Sequence, residues 1–120
     1  MIIAISSSGN SIESMLDQRF GRCAFFVIHD TETGKVTFQD NSEISNYSGG
    51  AGIQAAAKVV DANVQVVITG HCGPKAFRAL NASGVKVYTA SDCTIEQSIA
   101  QYNNNELQSL TSPDVEGHWK

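Results

Sequence analysis

The sequence predicts one α/β domain on a mixed five-stranded sheet, spatial order 3-2-1-4-5, with the second strand antiparallel and helices on both faces. Three observations lead there. In the second half of the chain, short apolar runs alternate with helical patterns. In the first half, the turn Thr31-Glu32-Thr33-Gly34 joins two strand-like runs into a hairpin. Hydrophobic residues make up 42% of 120 residues and charged ones 17%, which suits one packed core and argues against a disordered chain. A net charge of -4 makes nonspecific nucleic-acid binding a poor reading.

Each element follows from local pattern. Ile2-Ile3-Ala4-Ile5 is a short apolar run, as in a buried central strand. Ser6 to Asn10 is a loop of small polar residues, and Ser11 to Leu16 reads as one helical turn with Ile12, Met15 and Leu16 on one side. Cys23 to Asp30 is strongly apolar and forms the second strand. Gly34 supplies the φ > 0 position of the turn, and Lys35 to Asp40 returns as the third strand, with Val36 and Phe38 facing one way. Asn41 to Gly49 is a polar connection. An alanine-rich helix then spans Ala51 to Asp61, with Ile53, Ala56, Ala57 and Val60 as its expected buried stripe.

Val64 to Thr69 is mostly β-branched and reads as a strand buried on both faces. Pro74 suits a first helical position, Lys75 to Ala82 continues that helix, and Gly84 ends it. Val85-Lys86-Val87-Tyr88 is the fifth strand. Thr94 and Gln97 have capping-box spacing and open a helix to about Tyr102. Leu107 to Leu110 is expected to pack back, so that residues 1–110 form the domain and 111–120 a loose tail.

Connection rules bring the motifs together. A hairpin sets the second strand antiparallel, and right-handed crossovers make the later strands parallel to the first. Ser6-Ser7-Ser8, Cys23, the Ser48-Gly49-Gly50-Ala51-Gly52 run, Gly70-His71-Cys72-Gly73-Pro74 and Cys93 then share one end of the sheet. Open α/β sheets bind ligands in the crevice at such a switch point. Glycine-rich turns and helix N-termini offer N–H groups to an anion. Imidazole and thiolate at His71, Cys72 and Cys93 suit soft metals, and a helix N-terminus is expected to favour thiolate at Cys93. Arg19, Arg22 and Lys75 are near enough in sequence to add positive charge. An anionic metal–sulfur cluster would satisfy all of these features.

Plainer readings stand beside that one. Cys72 can be a small buried residue, Cys23 is better read as a core thiol, and Arg22 can pair with Asp17 on the surface. Cys23, Cys72, Cys93 and His71 would make a zinc set, but without the short cysteine pairs typical of structural zinc. Three cysteines form an odd number, so a disulfide framework explains them poorly. The chain starts directly on a strand pattern, without a basic leader or a long apolar run, and is read as soluble and cytoplasmic. A monomer with no membrane or nucleic-acid partner is expected.

The residues also resemble a known family. Leu16-Asp17 with Phe20-Gly21-Arg22, Phe26 to Asp30, Gly50-Ala51-Gly52 and Val67-Ile68-Thr69-Gly70 with Gly73-Pro74 carry the likeness. Ala76, Ala79-Leu80, Gly84, Val87-Tyr88, Thr94-Ile95-Glu96 and Tyr102 extend it over residues 1–110. This order and spacing resembles the dinitrogenase iron–molybdenum cofactor biosynthesis family of small cluster carriers. The resemblance implies a ribonuclease-H-like fold without nuclease carboxylates. It also implies noncovalent binding, carriage or storage of a molybdenum-containing metal–sulfur cluster (Fe-Mo-S or Mo-Cu-S) rather than catalysis, with a cluster donor or acceptor metalloprotein as partner. Ser6, Ser7, Ser8, Arg22, Gly49, Gly50, Ala51, Gly52, Gly70, Gly73 and Pro74 would cradle the cluster, and His71, Cys72 and Cys93 would contact its metals. Two other classes remain at this point: an adaptor that docks on a metalloprotein without holding metal, and a thiol enzyme.

Overall fold

Alternation along each strand divides the apolar side chains between two cores, one on each face of a single sheet. In the computed structural model, which describes residues 1–111, the strands are β1 (Ile2–Ser7), β2 (Phe25–Asp30), β3 (Val36–Asp40), β4 (Val66–Thr69), β5 (Lys86–Thr89) and β6 (Gln108–Ser109). They lie in the order β3-β2-β1-β4-β5-β6. β4 runs parallel to β1 and β5 to β4, whereas β2 is antiparallel to both β1 and β3. The expected order of five strands is observed, and a sixth must be added. Leu107 to Leu110 packs back as expected, but as an edge strand: Tyr88 pairs with Ser109, Thr89 with Gln108, and Leu110 N–H donates to Val87 O at 2.8 Å. Those bonds satisfy groups that an edge position would leave to water. The expected tail lies, from residue 112 on, outside the described residues.

The helices are α1 (Ser42–Ser45), α2 (Ala51–Asp61), α3 (Pro74–Ala82) and α4 (Ile95–Asn103). On one face Ala4, Phe26, Val67 and Val87 pack against Ala55, Ala56 and Val59 of α2 and Phe77 and Leu80 of α3. On the other, Ile3, Ile5, Val27 and Ile68 pack with Leu16 and with Ile95 of α4. Helices therefore cover both faces, and β4, between two neighbours and two layers, is buried at every residue. No helix among the described residues is long and apolar enough to cross a membrane.

Two local expectations need correction. Residues 11–16 form a turn followed by extended chain, in which Met15 bridges Thr94 and Leu16 bridges Ser7. Extended backbone sends neighbours to opposite sides, so Leu16 is buried while Met15 is 49% exposed. On α2 the buried stripe is Ala51, Ala55, Ala56 and Val59; Ile53 and Ala57 are exposed. Small residues win that face because α2 and α3 approach closely, and a Cβ at Gly52 would lie 3.3 Å from Ala76 Cβ.

The capping box of α4 forms as its sequence predicts. Gln97 N–H donates to Thr94 Oγ1 at 3.1 Å, and Thr94 N–H donates to Gln97 Oε1 at 2.8 Å. Urea unfolding of Thr94→Ala should read a loss of about 1 kcal/mol, with Thr94→Ser close to wild type; equal stability of all three would mean the cap holds nothing.

Candidate functional site

The carboxyl ends of β1, β4 and β5 and the amino end of β2 share one pole, as the registers Ser7 with Phe25 and Thr69 with Thr89 require. There the chain between β1 and β2 folds back over the sheet. Ser6 Oγ lies 2.7 Å from Asp17 O and 2.7 Å from Thr69 Oγ1, tying β1, the loop and β4 together. His71 N–H donates to Gln18 O at 2.6 Å and Phe20 N–H donates to His71 O at 3.3 Å, a short parallel bridge that sets Arg19 beside His71. Glycine makes these approaches feasible: a Cβ at Gly70 would sit 2.6 Å from Gln18 Cα, and one at Gly21 would sit 2.7 Å from the backbone nitrogen of Gly52.

The three segments line an open cavity of about 720 Å³. The loop contributes Arg19, Phe20, Gly21 and Arg22; α2 contributes Gly50 to Ile53 at its start; the β4–α3 turn contributes His71 and Gly73 to Ala76. Two helix N-termini thus line one space. The first N–H groups of a helix have no partner inside it. Neither Gly50, in the left-handed region at φ 77°, nor Gly73 caps its helix with a side chain, and neither first turn holds an acidic residue. Lys75 stands in the first turn of α3, where the helix dipole disfavours a cation. α4, away from the cavity, follows the ordinary rules, with a capping box and Glu96 in its first turn.

The arginines are held differently. Arg19 pairs with Asp17, Nε to Oδ1 at 3.3 Å, and hydrogen bonding to that carboxylate keeps its guanidinium more firmly protonated than usual. Arg22 does not pair with Asp17; its Nη1 donates to Ser45 O and Tyr47 O, both at 2.8 Å. Among the described residues no carboxylate forms an ion pair with Arg22 or Lys75. The cavity therefore gathers Arg19, Arg22, Lys75 and two positive helix ends, with Phe20, Ile53 and Pro74 as apolar wall. Such a set can hold an anion with a weakly hydrated surface.

Of the predicted site residues, Arg22, Gly50, Ala51, Gly52, His71, Gly73 and Pro74 meet at this cavity. Ser6, Ser7, Ser8, Gly49, Gly70, Cys72 and Cys93 share the pole but do not line it. Ser6 and Ser7 are fully buried, and Ser7 Oγ donates to Gly9 O at 2.7 Å. The cysteines part company because successive layers of the sheet claim them. Cys23 and Cys72 belong to the core under α2 and α3, whereas Cys93 belongs to the core on the opposite face. Among the described residues no three His, Cys, Asp or Glu side chains gather to hold a metal ion, so the zinc set does not form.

Thiolate at Cys93 was the expectation from its place before a helix; burial, with help from Asp92, instead pushes its pKa up. Burial, reinforced by Asp17, pushes Cys23 up to about 12. From sequence, Arg19 and Lys75 are only nearby charge, and no local pattern places Phe20, Gly21, Ile53 or Ala76 at the site. Lys75 carried a usable signal, a cation directly after a Gly-Pro helix start without an acidic neighbour.

The chain matches a family model and is similar to several known proteins. The profile described as dinitrogenase iron-molybdenum cofactor matches residues 1–105. The apo form of the orange protein from Desulfovibrio gigas is 34% identical, with TM-score 0.91 over 94% of this chain and 95% of that one. A NifB-like protein from Thermotoga is 33% identical, with TM-score 0.83 over 92% and 94% of the two chains. An uncharacterized protein of Methanocaldococcus jannaschii is 28% identical over 95 residues, 78% of this chain and 80% of that one.

Two outcomes follow from the site's construction. Gly21→Ala should lose about 1–3 kcal/mol in urea unfolding by forcing the loop off α2, while Gly49→Ala, whose Cβ would meet nothing within 4 Å, should be neutral or slightly stabilising. The Cys23 thiol ionises near its ordinary 9.0 when unfolded but keeps its proton to about 12 when folded, so stability falls across that range as pH rises. Stability measured against pH in Cys23→Ala should decline less steeply there, by up to about 1.4 kcal/mol per pH unit; identical slopes would refute the buried neutral thiol.

Proposed function

The chain belongs to the dinitrogenase iron–molybdenum cofactor family, and from that membership we propose that its cavity binds an anionic molybdenum-containing metal–sulfur cluster noncovalently, as a carrier or store. The family and its neighbours point to a molybdenum-containing cluster; the carrier function, the Fe-Mo-S or Mo-Cu-S composition and the exchange of cargo with a donor or acceptor metalloprotein are our reading. The ribonuclease-H-like assignment belongs to the same reading.

The observation that carries it is the meeting of two helix N-termini without side-chain caps with Arg19, Arg22 and Lys75. Like charges so placed repel one another until an anion enters, and an anion that enters meets donors already in position. Gly50 to Gly52 and the start of α3 offer backbone N–H groups, His71 forms part of the wall, and Phe20, Ile53 and Pro74 cover apolar or sulfide surface. The proposal gives Cys72 and Cys93 no direct contact: one is fully buried, and the other faces the opposite core. It also needs no catalytic group. Binding through charge and N–H donors, without thiolate bonds to metal, lets the cargo leave intact. Three cysteines outside any disulfide suit a reducing compartment, and we place the protein in the cytoplasm as a monomer.

Apo protein mixed with tetrathiomolybdate, alone or with copper(I) or iron(II), should keep coloured, stoichiometric metal after desalting. Arg19→Gln, Arg22→Gln and Lys75→Gln should each weaken retention roughly tenfold, the scale of one lost charged hydrogen bond. Cys72→Ser and Cys93→Ser should retain metal once folded. Wild-type protein that elutes bare would favour an adaptor without metal, and a single alkylation-sensitive thiol of low pKa would favour a thiol enzyme.

A further inference from the structure

We infer that Arg22 couples occupancy of the cavity to the order of the β3–α2 connection, so that residues 45–50 are held more tightly when an anion is bound. The inference rests on the anion-binding reading above and assigns that site a regulatory consequence.

The connection is anchored unequally. At its start, Asn41 is 1% exposed, its N–H donates to Ala24 O at 2.8 Å, and its Nδ2 donates to Cys23 O at 2.9 Å and Gly21 O at 3.2 Å. α1, which follows, buries none of its four residues. Its trailing end is tied by Arg22, through Nη1 to the carbonyls of Ser45 and Tyr47. Ser48 and Gly49 then lead to Gly50, whose φ of 77° and place on the cavity wall make it the next fixed point. Two adjacent glycines leave this stretch with much backbone freedom.

Arg22 is both the tie and part of the cavity wall. A guanidinium has five N–H donors in a planar fork. Nη1 spends both of its hydrogens on the two carbonyls. Among the described residues the edge formed by Nε and Nη2 meets no protein acceptor, and that edge is the one that takes an anion in two parallel bonds. The two sets of bonds use different hydrogens, so they do not compete. An anion that fixes the guanidinium also fixes the donors that hold Ser45 and Tyr47. By linkage, a chain that orders these residues by other means binds the anion more tightly. A bound cargo would thereby be reported on the exposed surface of α1, away from the cargo itself.

Hydrogen–deuterium exchange of residues 42–50, with and without saturating tetrathiomolybdate and with retention measured on the same samples, tests this. Exchange across 45–50 in wild type should slow about five- to tenfold on binding, within the usual range of coupling between sites. Arg19→Gln, brought to the same occupancy, should slow equally. Arg22→Lys, with one donor atom in place of a fork, and Arg22→Gln should slow less than about twofold at matched occupancy. Slowing in the Arg22 variants equal to wild type, its loss in Arg19→Gln, or unchanged exchange in wild type that retains the anion would overturn the inference alone. Wild type that retains no anion would overturn the binding reading and this inference with it.

Discussion

Charge of one sign, concentrated where the backbone already points its positive ends, is the constraint on which this molecule turns. Helices normally start with an acceptor and an acidic first turn. α4 obeys that rule fully, whereas α2 and α3 start on glycine, without a side-chain cap, and α3 adds Lys75. Among the described helices, the two that lack both a side-chain cap and an acidic first turn are those that start at the cavity Arg19 and Arg22 also line. Local rules broken together at one place are what the proposed anion site rests on.

Close backbone approach makes that concentration geometrically feasible. The loop after β1 reaches the β4–α3 turn and the start of α2 only because Gly70 and Gly21 have no Cβ to hold the segments apart. The Arg19–His71 bridge follows, and with it the side-by-side placement of residues distant in sequence. Ser6, fully buried, ties the same loop to β1 and β4, so its part in the site is to hold the frame rather than to line the cavity. Asp17 anchors Arg19, and peptide carbonyls anchor Arg22, so two similar side chains are restrained by unlike partners.

The thiols follow a separate logic. Sequence alone offers His71, Cys72 and Cys93 as metal contacts and Cys23 as a core thiol; in the fold Cys23 and Cys72 lie on one face of the sheet and Cys93 on the other. Cys23 and Cys93 are buried, and that burial favours their neutral thiols. Cys72 is likewise fully buried, one residue from exposed His71, because neighbours in an extended turn point apart.

By itself the sequence determined the order of β1 to β5, the α4 capping box, the Pro74 helix start and the pole at which the motifs meet. These rest on period, turn chemistry and crossover handedness, all of which act over short stretches of chain. Tertiary structure alone decided the rest. It made Gln108–Ser109 an edge strand because β5 had bonds to satisfy. It turned α2 so that alanines face α3 and Ile53 faces the cavity, because two helices there come too close for larger side chains. It sorted the cysteines between faces and gave Asp17 to Arg19 rather than Arg22. Those outcomes depend on which atoms meet across long sequence separations, and no local pattern encodes that contact.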